Sequence, residues 1–72
     1  MKRISKSFAR KLFAKGATFY MVPVNLRPEY GYKIDNNVGC EFEYDWDRLY
    51  NTYCYYNCDH DRGYYPAYYV DA

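Results

Sequence analysis

The sequence predicts an α+β fold: a small two-layer sandwich in the order α-β-β-α-β, with two helices on one face of a three-stranded, largely antiparallel sheet. Three observations carry this. Apolar residues recur at helical spacing in two segments. Runs rich in β-branched and aromatic residues alternate with period two in three others. A length of 72 residues admits one core and one domain, residues 1–72, burying only about 60% of the surface of the unfolded chain.

The first element is a helix over about residues 5–15. Ser5 or Ser7 supplies a cap, Gly16 a stop, and Ile4, Phe8, Ala9, Leu12 and Phe13 fall within a half-circle at 100° per residue. Lys6 and Arg10 lie opposite that arc, while Lys11 and Lys15 flank its edge. A strand follows over about 18–26, where Phe19 and Met21 alternate with Tyr20, Val22 and Val24, and Pro23 favours an edge or a bulge. Pro28, Gly31 and Asn36-Asn37 mark a loop over about 27–38.

Cys40, Phe42 and Tyr44 alternate with Glu41 and Glu43, which reads as a short strand over 39–44 with an acidic outer face. Asp45 then caps a second helix over about 46–58, whose stripe is Trp46, Leu49, Tyr50 and Tyr53. A last strand over 64–70 sets Tyr65, Ala67 and Tyr69 on one side and Tyr64, Tyr68 and Val70 on the other. The sheet face turned away from the helices is left to solvent, a partner or a second copy of the chain, so homodimerisation is one expectation.

Tyrosine is the compositional signature: 12 residues are Tyr, against 16 that are Val, Ile, Leu, Met, Phe or Trp. Some tyrosines must therefore serve as core, with ring bodies inward and hydroxyls at the rim, and others must be exposed as anchors for a partner. Tyr55, Tyr65 and Tyr69 are the candidates.

The formal charge of +1 hides an asymmetry. Residues 1–33 carry eight Lys and Arg against Glu29 alone, and residues 34–72 carry Arg48 and Arg62 against eight Asp and Glu. The halves either neutralise one another on folding or present a basic and an acidic face. Lys6, Arg10 and Lys11 are candidates for phosphate contacts, with exposed Tyr rings to stack on unpaired bases. Glu41, Glu43 and Asp47 are candidates for contact with a cationic partner surface.

Catalysis and metal binding are weakly signalled. Cys40, Cys54, Cys58 and His60 are a conceivable zinc set, but they lack two short ligand pairs, and small buried thiols with a solvated loop His account for them better. Cys58 and His60 stand two apart, which does not orient sulfur toward imidazole. Gly16, Gly31, Gly39 and Gly63 are too dispersed for a phosphate loop. No enzyme activity, cofactor or metal is expected. Three cysteines cannot all pair within one chain, and charges interrupt the apolar residues near the start, so a reducing cytoplasm without membrane contact is expected. A basic, acid-free opening also fits an organelle-targeting segment, but the strand that follows at once favours an integral helix.

Two stretches carry a resemblance. Ser5-Lys6-Ser7-Phe8-Ala9-Arg10-Lys11-Leu12-Phe13-Ala14-Lys15-Gly16, running into Phe19-Tyr20-Met21-Val22-Pro23, resembles the start of small uncharacterised proteins of bacterial phages and mobile elements. Tyr55-Tyr56-Asn57-Cys58 and Gly63-Tyr64-Tyr65-Pro66-Ala67-Tyr68-Tyr69-Val70 are similar to their ending. The resemblance implies a host bacterial cell and a host protein as partner, such as a defence nuclease blocked in the manner of anti-CRISPR proteins. A net charge of +1 departs from what a DNA mimic requires, so inhibition by shape and aromatic contact fits better. The leading expectation is thus a protein-binding inhibitor, and the alternative a nucleic-acid-binding protein using its basic first helix.

Overall fold

A computed structural model describes residues 1–22, 31–54 and 66–71. It is a small α+β structure in which a four-stranded antiparallel sheet carries three helices. The elements are β1 (Lys2–Ile4), α1 (Lys6–Lys15), β2 (Phe19–Val22), β3 (Tyr32–Ile34), α2 (Asn36–Glu41), α3 (Trp46–Cys54) and β4 (Ala67–Val70). The sheet order is β1-β4-β2-β3, so the last strand lies at its centre and the first at one edge.

The first helix forms where its caps demand. Ser5 is extended, and its hydroxyl accepts from the Phe8 amide at 3.1 Å. Gly16 takes φ 73°, and the amides of Gly16 and Ala17 return to the carbonyls of Phe13 and Leu12, which closes the last turn in a Schellman motif. Ala9 and Phe13 are buried, Leu12 is half-buried and Phe8 is 49% exposed. The apolar arc was wider than the contact it serves: the helix turns Ala9 and Phe13 onto the sheet and leaves Phe8 at the rim.

Three expectations are corrected. The segment 39–44 is not a strand, and the segment 27–38 is not all loop. Asp35 decides both. Extended itself, it accepts from the Val38 amide at 3.1 Å and so starts α2, which ends at Glu41. Glu43 and Tyr44 then adopt left-handed backbone, both at φ 56°, and the Tyr44 amide donates to the Gly39 carbonyl at 2.8 Å. A five-residue alternation is too short to outweigh a capped helix followed by a tight turn. Just before Asp35, residues 32–34 pair with β2 as a strand inside the expected loop. The third correction is β1: Lys-Arg-Ile has no strand pattern of its own and is held by pairing with β4. Among the described residues the sheet therefore has four strands and the helix layer three members.

The other elements lie where expected over the residues described. The strand over 18–26 is seen as Phe19–Val22, the helix over 46–58 as Trp46–Cys54 and the strand over 64–70 as Ala67–Val70; residues 23–30, 55–65 and 72 lie outside the described ones. Asp45 caps α3 by accepting from the amides of Asp47 and Arg48 at 3.1 and 3.3 Å. Alternation along the strands sends Phe19, Met21, Ile34 and Tyr68 into the core, where they meet Ala9 and Phe13 of α1, Trp46 and Leu49 of α3, and Phe42. The centre is aromatic: the Trp46 ring lies 6.0 Å from Phe13, 6.3 Å from Phe19 and 5.7 Å from Tyr68. Tyrosine thus serves as core, as its abundance requires. Among the described residues no helix is long and apolar enough to cross a membrane.

Candidate functional site

The face of the sheet opposite the helices is built by the residues that alternate with the core. Register places Tyr20 beside Lys33 on one side and beside Tyr69 on the other, and Tyr69 beside Arg3. One row therefore crosses all four strands: Arg3, Tyr69, Tyr20, Lys33. With strands about 4.8 Å apart the row spans roughly 14 Å. The two cations at its ends are exposed, and the two rings at its centre are half-buried. Beyond it, Val22 pairs with Ala67 and is buried, so the face is closed at that end.

Asp71 fixes one ring of the pair. The Tyr20 hydroxyl donates to Asp71 Oδ2 at 3.0 Å. That hydrogen bond first, then desolvation and the charge of Asp71, hold the phenol above the ordinary tyrosine pKa. The sign follows directly. Folding retains the proton, so the contribution is complete below the ordinary tyrosine pKa and is lost as pH rises through the raised folded value. We expect an ultraviolet titration of the folded protein to show a tyrosine ionising later than the free amino acid. Asp71→Asn should advance it, and a wild-type curve without a late component would contradict the arrangement.

Among the described residues, those singled out in the sequence do not converge on one surface. Tyr69 lies on the open face. Glu41 at the end of α2, Glu43 in the left-handed turn and Asp47 in the first turn of α3 are exposed in the helix layer, on the other side of the sheet. Lys6, Arg10 and Lys11 belong to α1 and are exposed in that same layer. The Lys6 ammonium lies 4.6 Å from the centre of the Tyr50 ring, which ties it to α3, whereas Arg10 and Lys11 stand about 100° apart around the helix. Tyr55 and Tyr65 lie outside the described residues.

Of the conceivable zinc set, only the Cys40 side chain is among the described residues. Cys40 is exposed, with its sulfur 3.2 Å from the Tyr44 hydroxyl, and that hydrogen bond is the leading cause of a raised Tyr44 pKa. Among the described residues no three His, Cys, Asp or Glu side chains gather as ligands; the side chain of Cys54, with Cys58 and His60, lies outside that set.

Sequence reasoning did not place Arg3 and Lys33 on the open sheet face, because both sit on strands it did not assign. Alternation set Tyr20 on the side opposite Phe19 and Met21, but only strand pairing shows that Tyr69 is its neighbour. No protein family, curated protein or solved structure matches this chain.

Proposed function

We propose that the chain is a non-enzymatic binding module whose open sheet face takes single-stranded nucleic acid. The observation that carries this reading is the row Arg3–Tyr69–Tyr20–Lys33. Adjacent rings on central strands offer π-faces to successive unpaired bases, and cations at both ends suit the phosphates that leave the stack. Duplex bases present no faces to such a platform, so single strands are the fitting partner. The basic first helix, which the sequence offered for this role, stands in the helix layer and is not needed for it.

Binding of short single-stranded DNA and RNA oligomers, followed by fluorescence anisotropy, tests the proposal. Each of Tyr20→Ala and Tyr69→Ala is expected to weaken binding by about 5- to 150-fold, the worth of one stacked base, and Tyr→Phe at either position is expected to retain it. Affinity should fall with salt at a log–log slope of about −1.4, roughly 0.7 for each of the two terminal cations. Unchanged affinity in the alanine variants, or equal affinity for duplex, would remove the reading.

A second reading, the protein-binding inhibitor, is favoured by a different observation: Tyr44 is 41% exposed between Glu43 and Asp45, with Glu41 and Asp47 also exposed nearby in sequence. An aromatic ring among carboxylates suits a cationic protein surface such as the nucleic-acid channel of a defence nuclease. Loss of nuclease inhibition in Tyr44→Ala together with Glu43→Lys tests it.

A further inference from the structure

A second surface lies on the helix side of the sheet, at its β1 edge. There Lys2, Ile4, Ser5, Phe8 and Val70 line an open groove of about 300 Å³. Its floor is apolar: Ile4 and Val70 are half-buried against the core, and Phe8 stands 49% exposed at its wall. Beside it β1 is the end of the strand order, and among the described residues no strand pairs with its outer edge. A free edge next to an apolar groove is the arrangement by which an extended peptide adds a strand and inserts alternate side chains.

The charges select the occupant. Lys2 lines the groove, Arg3 projects from the opposite face of the same strand, and Lys11 lies three residues beyond Phe8 on α1, while among the described residues no carboxylate lines the groove. A second copy pairing edge to edge through β1 would crowd the Lys2 and Arg3 cations of the two copies together, which like-charge repulsion opposes. We infer that the β1 edge docks an extended, acidic segment of a protein partner. In antiparallel pairing the residue opposite Ile4 is apolar and rests against Ile4 and Phe8, and the next two, opposite Arg3 and Lys2, are acidic. The segment therefore reads apolar–acidic–acidic from its N-terminal end. This surface shares Arg3 with the tyrosine row but otherwise lies on the other side of the sheet, and the inference does not depend on the nucleic-acid reading.

The probe is a synthetic extended peptide with Ile-Asp-Glu at its centre, titrated into the intact protein and followed by amide shifts and hydrogen exchange. Binding should shift Lys2, Arg3, Ile4 and Val70 and slow exchange along β1. Phe8→Ala, at an exposed position, should weaken binding about tenfold or more while leaving the melting temperature near wild type. Lys2→Glu should lose the peptide and recover binding when the Glu of the probe is replaced by Lys. The inference is overturned if the peptide fails to bind, if Phe8→Ala and Lys2→Glu leave its affinity unchanged, or if sedimentation shows a dimer that protects β1 without peptide.

Discussion

Phe13→Ala is expected to leave the protein mostly unfolded under mild conditions. Phe13 is 2% exposed and joins α1 to the rest of the core, its ring centre 6.0 Å from Trp46 and 6.2 Å from Tyr44. Truncating a buried Phe costs about 3–5 kcal/mol, through lost transfer energy and the cavity left behind. A chain of 72 residues holds roughly 4–11 kcal/mol in total. The loss is therefore comparable with the whole stability. Urea unfolding followed by Trp46 fluorescence should show the midpoint near zero denaturant. Phe8→Ala, one turn earlier and half exposed, should unfold close to wild type. A Phe13→Ala midpoint matching wild type would mean that α1 does not dock through this ring.

That contrast between Phe8 and Phe13 also marks how far the sequence could be read. The spacing of apolar residues identified α1 and its caps, because those signals are local and each involves residues within one turn. It did not rank Phe8 against Phe13: both lie on the arc, and which one is buried depends on how the helix sits on a sheet whose width the sequence left open. The α3 stripe was legible in full, with Trp46 and Leu49 buried and Tyr50 and Tyr53 half-buried. The strand β3 and the helix α2 were not, since Asp35-Asn36-Asn37 serves equally as turn chemistry and as a helix start. β1 has no local signal at all; three residues in register with β4 supply it. The candidate site inherits this limit. Its central tyrosines alternate correctly with core residues in the sequence, but their adjacency, and the two cations that complete the row, exist only through long-range pairing.

Gly16→Ala is the second large effect, and it joins two costs at one junction. Gly16 sits at φ 73°, where an L side chain costs roughly 1–2 kcal/mol. A Cβ there would also collide with Asn36 Oδ1. Asn36 is the end of a flexible side chain, so it can move, but its Oδ1 accepts the Tyr44 hydroxyl at 2.6 Å, and the displacement gives up that bond, worth about 0.5–1.5 kcal/mol. Tyr44 in turn lies against Gly39 so closely that a Cβ on that glycine would stand 2.7 Å from its ring. The end of α1, the start of α2 and the left-handed turn are thus held by one chain of contacts, Gly16–Asn36–Tyr44–Gly39. Thermal unfolding of Gly16→Ala should report a loss of about 2–3 kcal/mol. In an Asn36→Ala background the same substitution should cost less by about 1 kcal/mol, because the collision and the hydrogen bond are both already gone. Strict additivity of the two substitutions would show that backbone conformation alone sets the cost and that the Asn36–Tyr44 bond does not tie the helices together.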